Sequence, residues 1–306
     1  MGNKIVNFGE MEQLVLSQPR QTVALAAANS EEALLAVEYA RQKGIVDAHL
    51  VGDIDTISAL CGKHGIDMAG YTITDAKDPV EAAATAVSLV REGKAQLLMK
   101  GLVETSDFLR AVMNKETGLR GKDRMCALVV LECAAVKKLL VLGDVGTNIA
   151  PDVAAKASIL ESSFKVARAL GIENPKAAVL CANEHVKDSM PCTLEAAELT
   201  EMSRRGEISG MVEGPISMDL ATNLHAVQVK KYAGGIQGDA DILLVPDLEA
   251  GNILVKGLMY LTDNIRVAGV GMGAKVPLIQ TSRGDDHDTK YYSIVLSCLV
   301  SQYMNR

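Results

Sequence analysis

Tryptophan is absent from this 306-residue chain, phenylalanine occurs 3 times, and aromatic residues make up 3% of it. Its cores must be built from alanine, valine, leucine, isoleucine and methionine. The 6 cysteines (Cys61, Cys126, Cys133, Cys181, Cys192 and Cys298) form no CxxC pair and no Cys/His spacing suited to a metal. Most lie in apolar runs, which reads as reduced core thiols of a cytoplasmic protein. No apolar run approaches the ~20 residues of a membrane helix. Residues 1–10 lack the basic-then-apolar order of a signal peptide. Positive charge is in the minority: 31 Lys and Arg against 38 Asp and Glu leave a net charge of -7. That argues against a nucleic-acid or anionic-membrane surface, though not against a local basic pocket.

Several catalytic signatures are missing too. There is no GxxxxGK[ST] run, no GxSxG elbow and, among 5 histidines, no HExxH. Gly269, Gly271 and Gly273 suggest a dinucleotide loop, but their spacing is GxGxG and a strand, not a helix, is expected next.

What is present is a soluble α/β pattern, 48% hydrophobic and 23% charged. The length exceeds what one core usually serves, so two domains are expected. Strands over 22–27, 48–51, 71–73 and 96–99 alternate with helices over 31–43, 54–64 and 79–92. Ser30 and Asp78 stand at helix starts, the latter followed by Pro79. Thr105-Ser106-Asp107 is expected to cap a helix carrying Arg110. Residues 114–124 are polar and without apolar period, the best place for a first crossing between domains. Two apolar strands follow, 127–131 and 138–142, read as antiparallel. Helices are expected over 152–170, 193–205, 218–223 and 250–261, and strands over 177–181, 208–212, 241–245 and 265–270. A buried strand over 276–279 and a last helix over 291–303 close the chain. The alternation implies a mostly parallel sheet covered by helices.

Reactive side chains gather where strands hand over to helices, which is where ligands bind in open α/β sheets. Ser282, Arg283, Asp285, Asp286, His287 and Asp288 follow the last strand. They fit an anion and oxyanion site with a general base, or equally a capped helix with a surface arginine. Lys100-Gly101 and Arg110 could hold phosphate. Asn252, in a Pro246-to-Asn252 turn that Asp247 could cap, could reach a ligand. Residues 144–152 and 213–219 form further polar strand-end loops. No partner at matching spacing supports a metal at the Asp/His/Asp cluster.

Together these loops resemble one family. Pro246-Asp247-Leu248-Glu249-Ala250-Gly251-Asn252 with Lys256 resembles the PD-x-x-AGN…K motif of the phosphate acyltransferases. Thr281-Ser282-Arg283 followed by Asp288-Thr289-Lys290 resembles their C-terminal motif in its butyryltransferase version. Asn148-Ile149-Ala150-Pro151-Asp152, Met190-Pro191-Cys192-Thr193, Gly214-Pro215 with Asp219, and Gly238-Asp239-Ala240-Asp241 are similar to the same branch. The resemblance runs from Gln96 to the C-terminus.

It implies two α/β domains of the isocitrate/isopropylmalate-dehydrogenase-like architecture with an interdomain cleft. The first domain would be 1–123 plus 288–306. The second, 124–287, would form a homodimer or higher homo-oligomer. It implies the reaction acyl-CoA + phosphate = acyl phosphate + CoA, with no cofactor beyond CoA as substrate, no metal, and no nucleic-acid or membrane partner. Ser282 would stabilise the transition state or leaving group near the CoA thiol, and Arg283 would bind phosphate or CoA. Arg110, Lys100, Asn252, Asp247, Asn148, Gly214 and Pro215 would bind substrate. The acetyl branch carries its base seven residues after the serine, where this chain has Thr289; Asp288 is the first choice here and Asp285 the second. A phosphate acetyltransferase is the nearest alternative. An NAD-dependent decarboxylating dehydrogenase or a non-catalytic acyl-CoA-binding protein is more distant.

Overall fold

The computed structural model describes residues 4–282 and 284–305. The chain packs as two compact units. One gathers Gly9–Lys122 with the residues from Ala268 onward, and the other gathers Asp123–Val267 with the residues up to Phe8. They are called here the N-terminal and the central unit.

The N-terminal unit begins with helix α1 (Phe8–Leu16), strand β1 (Gln21–Ala26), helix α2 (Glu31–Gln42), strand β2 (Val46–Gly52) and helix α3 (Ile54–His64). Strand β3 (Thr72–Asp75), helix α4 (Pro79–Arg91), strand β4 (Leu97–Lys100) and helix α5 (Thr105–Val112) follow. The helix starts are where the caps put them: Ser30, Asp53 and Asp78 each accept a backbone N–H of the first turn. The cap expected from Thr105 is not formed. That helix begins at Thr105 itself, with Glu104 at the cap position and no side-chain cap bond.

The central unit contains β5 (Cys126–Cys133), β6 (Leu139–Gly143), α6 (Val153–Ala169), β7 (Lys176–Leu180) and α7 (Pro191–Arg204). It continues with β8 (Met211–Ile216), α8 (Met218–Thr222), α9 (Leu224–Lys230), β9 (Ile242–Leu244) and α10 (Leu248–Leu261). The chain then runs through β10 (Ile265–Met272), β11 (Leu278–Ile279) and α11 (His287–Met304).

In the N-terminal unit the strands lie in the order β3-β2-β1-β4-β11, all parallel, with β10 antiparallel beside β11. In the central unit the order is β5-β6-β9-β7-β8, antiparallel between β5 and β6 and parallel after that. Each unit therefore presents one edge made of the C-terminal ends of its parallel strands.

With few rings available, packing relies on small and branched side chains. Ala82, Ala83 and Ala86 of α4 are fully buried, as are Val23, Ala24, Leu25 and Ala26 of β1. Alanine on the inner face lets helix and sheet approach closely, so the interior fills without aromatic bulk. The three phenylalanines, Phe8, Phe108 and Phe164, are all completely buried. Helix α11 is apolar nearly all round and is buried from Thr289 to Ser301, as a helix enclosed on every side must be.

The structure corrects several boundaries. Residues 268–287 pack with the N-terminal unit and not with 124–287, because β11 pairs with β4 through Leu278–Leu98 and Ile279–Met99. Strand β11 is shorter than the expected 276–279, since Pro277 has no N–H for the ladder. Strand β8 lies at 211–216 instead of 208–212, with Gly214 and Pro215 inside it. Proline is tolerated there because β8 pairs on one side only, with β7. Helix α11 starts four residues before the expected 291, at His287, because Asp286 caps it.

Candidate active site

In the N-terminal unit Met99 of β4 stands opposite Ile279 of β11. Lys100 and Gln280 therefore leave the sheet side by side on strands about 4.8 Å apart, and the loops 101–104 and 280–286 share one edge. Ser282 is exposed on the second loop. Its N–H donates to Asp285 Oδ2 at 2.6 Å, and the Asp285 N–H donates to the Ser282 carbonyl at 3.2 Å. The Gly284 N–H approaches Ser282 Oγ at 3.4 Å. Arg283 lies outside the described residues.

The acids that follow have divided tasks. Asp285 ties the loop. Asp286 accepts the Thr289 N–H at 2.7 Å and caps α11. Asp288 is exposed in the first turn, where the helix dipole favours negative charge. Thr289, at the position of the acetyl branch's base, is buried with 7% exposure. His287 presents its ring edge-on to Tyr39, centroids 4.6 Å apart. Lys290 is only 5% exposed and donates to the Asp285 carbonyl.

On the neighbouring loop, Lys100 Nζ donates to the carbonyls of Val103 at 2.9 Å and Gly101 at 3.3 Å. Gly101 turns against the end of β1 so closely that a Cβ there would stand 2.2 Å from the Ala27 carbonyl oxygen. Pro79, Val80, Leu102, Val103, Glu104 and Asp107 line a pocket of about 240 Å³ beside it. Arg110 of α5 projects outward, its side chain 72% exposed and paired with Asp107 at 2.5 Å. Such an exposed pair is weak and readily exchanged for a stronger anion.

The central unit's edge is organised around Asp144, 3% exposed, at the end of β6. Its carboxylate accepts the N–H groups of Ala127 (2.9 Å), Gly146 (3.1 Å), Thr147 (3.2 Å) and Asn148 (2.9 Å), and the Asn148 side-chain amide at 2.6 Å. Asn148 is turned inward, 8% exposed, and its Oδ1 accepts Arg124 Nε at 2.5 Å. The next loop rests on this one. Asp247 caps α10 through the Ala250 N–H at 2.8 Å, and Leu248 N–H donates to the Ile149 carbonyl at 3.0 Å. Asn252 Nδ2 donates to the Val145 carbonyl at 3.3 Å. At Gly251 a Cβ would meet Val245 Cγ2 at 2.9 Å and the Asp144 carbonyl at 3.0 Å.

Asn148, Asp247 and Asn252 are thus engaged in holding two loops together. Gly214 and Pro215 sit in β8, where a Cβ on Gly214 would stand 2.7 Å from Val179 Cβ and 3.1 Å from Ala196 Cβ. Beside that strand, Asp219 accepts Ser217 Oγ at 2.6 Å and pairs with Lys230 at 2.9 Å, and both contacts hold its carboxyl below the usual range. At the end of β7, burial, with Cys192 alongside, pushes the Cys181 thiol up to about 12, so it is not a nucleophile at neutral pH.

Sequence reasoning passed over two groups here. Asp144 was one member of a weak loop, although an aspartate followed by small residues is the signal of a carboxylate that collects backbone N–H groups. Lys290 closes the Asp288-Thr289-Lys290 motif, which the sequence places ahead of the last helix; because that helix starts at His287, the lysine falls in its buried first turns. Among the described residues no cluster of three or more His, Cys, Asp or Glu is arranged to hold a metal ion. None of their helices is long and apolar enough to cross a membrane.

The folds and loops above are those of a mixed α/β protein with polar residues at strand ends, and comparison with known proteins narrows the class. A model of the phosphate acetyl/butaryl transferase family matches residues 66–298. Phosphate butyryltransferase of Clostridium acetobutylicum is 44% identical over 298 residues, 97% of this chain and 99% of that protein. That of Clostridium beijerinckii is 40% identical over 296 residues, 96% of this chain and 98% of that protein. A branched-chain phosphotransacylase from Enterococcus faecalis V583 superposes with a TM-score of 0.81 at 33% identity, covering 92% of this chain and 99% of that one. This chain belongs to the phosphate acetyl/butyryl transferase family.

Proposed function

We propose that this chain transfers a butyryl or other short or branched acyl group reversibly between coenzyme A and inorganic phosphate. The likeness to phosphate butyryltransferases over nearly its whole length carries the reading. In the forward direction a phosphate oxygen attacks the thioester carbonyl carbon and an oxyanion forms. The carbon–sulfur bond then breaks, and CoA leaves as a thiolate that takes up a proton. In reverse the CoA thiol loses that proton, attacks the acyl phosphate carbonyl and expels phosphate. A free thiol of pKa ~8.5 is a few per cent thiolate at neutral pH, so a base assists.

In this reading Ser282 donates its hydroxyl hydrogen to the charge that develops at the sulfur or the oxyanion. Its exposure, and the Gly284 N–H that approaches its oxygen, support that role. Arg283 and Arg110 hold the phosphate, with Lys100 adding positive potential on the neighbouring loop. Asp288, exposed in the first turn of α11, is the base in this reading, with Asp285 the second choice. Asn148, Asp247, Asn252, Gly214 and Pro215 serve by shaping the loops they belong to. The chemistry needs no metal or prosthetic group, and CoA is a substrate. The isocitrate-dehydrogenase-like architecture belongs to the same proposal. It is supported by a chain that leaves the N-terminal unit after Lys122 and returns to it at Ala268.

The test is thiol release from a panel of butyryl-, isobutyryl- and acetyl-CoA with phosphate. We expect kcat/KM for butyryl- or isobutyryl-CoA to exceed that for acetyl-CoA by about tenfold or more, since even one methylene discriminates by at least about that much in an apolar pocket. A preference for acetyl-CoA overturns the acyl assignment. No thiol release from any of the three overturns the transferase reading in favour of a binding protein.

A further inference from the structure

We propose that Lys290 is a positioning residue for Ser282, acting through Asp285; the inference rests on the role given to Ser282 above. Lys290 lies in the first turns of α11 and is 5% exposed. Burying an ammonium is costly unless hydrogen bonds replace its water. Its ammonium donates to the main-chain carbonyl of Asp285, near the end of the serine loop. Asp285 in turn grips Ser282 twice, through its carboxylate on the Ser282 N–H at 2.6 Å and its own N–H on the Ser282 carbonyl at 3.2 Å. The Gly284 N–H, between them, approaches the hydroxyl oxygen at 3.4 Å.

Ser282, Gly284 and Asp286 of the serine loop are exposed, whereas α11 is among the most buried elements of the described chain. Lys290 is therefore a link by which a rigid helix sets the place of an exposed serine. Removing it leaves the Asp286 cap to hold α11, but takes from the Asp285 carbonyl the donor that reaches it from the buried helix, and so loosens the segment that Ser282 is bonded to. A displacement of ~1 Å in a group that meets the transition state can cost ~100-fold in rate, with little change in ground-state binding.

The experiment compares the full-length Lys290→Met, Lys290→Arg and Ser282→Ala variants and the Ser282→Ala/Lys290→Met double variant, each with butyryl-CoA and phosphate. Lys290→Met is expected to lose ~100-fold in kcat with KM for both substrates within about twofold. Lys290→Arg, which keeps a donor for the carbonyl, should recover at least about tenfold of that loss. The double variant should be no slower than Ser282→Ala alone, because a positioning residue has no effect once the group it positions is gone. Losses that multiply in the double variant, or an unimpaired kcat in Lys290→Met, overturn the proposal. Should Lys290→Met not fold, Lys290→Arg decides. A fall of about tenfold in kcat at unchanged KM, absent in the Ser282→Ala background, supports positioning, and any other pattern overturns it. A Ser282→Ala enzyme as fast as wild type removes the role of Ser282 and this inference together. A slow one beside an intact Lys290→Met removes the inference alone.

Discussion

At the scale of single residues, the serine loop shows how a short polar run can hold distinct tasks. Three acids stand within four positions, yet Asp285 secures the loop, Asp286 caps a helix, and Asp288 is exposed. Ser282→Ala should lower kcat by at least about tenfold while CoA binding, read by calorimetry, stays within about twofold, as expected for a donor used in the transition state. Unchanged turnover would remove Ser282 from the mechanism. Glu38 in α2 offers a pH prediction. Burial alone would raise its carboxyl, but Arg41 at 2.8 Å, the Tyr71 hydroxyl and Gln42 at 2.8 Å outweigh this and hold it below the usual range. A group with a depressed folded pKa contributes stability above its unfolded value and loses it as pH falls through the folded one. Wild type should therefore exceed Glu38→Gln in urea midpoint near neutrality. The gap should close as pH falls below about 4.3, the unfolded glutamate value; a gap independent of pH would show that Glu38 acts through packing alone.

At the scale of elements, carboxylates tie the loops at the central unit's strand ends, Asp144 after β6 and Asp247 before α10. Asp144→Ala would leave the N–H groups of Ala127, Gly146, Thr147 and Asn148 without their acceptor. We expect a loss of about 3 kcal/mol or more in urea unfolding, since several buried donors are orphaned at once. Asp247→Ala removes only the cap of α10 and should cost about 1 kcal/mol. Equal losses for the two variants would show that the Asp144 bonds act no more strongly than a single cap. The starts of α2 and α4 were legible because a capping side chain is a local signal. The strand ends were not. Pro215 looked like a turn, yet it sits in a strand paired on one side only, and no local pattern tells an edge strand from a loop.

At the scale of the whole molecule, the two units follow one plan, parallel strands whose C-terminal ends carry the polar loops. Folded chain that binds CoA gains stability by mass action, so CoA at about a hundred times its Kd should add ~2.7 kcal/mol and raise the thermal midpoint. A midpoint indifferent to CoA would count against the acyltransferase reading as a whole. The sequence by itself determined the α/β class, the caps of α2 and α4, the absence of dinucleotide and P-loop signatures, and the family motifs with Ser282 among them. All of these depend on residues close together in the chain. Only the tertiary structure decided which acid ties Ser282 and which caps a helix. It alone showed that β11 belongs beside β4, and that Asn148 faces inward to Asp144 while Lys290 is buried under Asp285. Those outcomes depend on which strands pair and on what a polar side chain meets once water is excluded, and local sequence does not encode either.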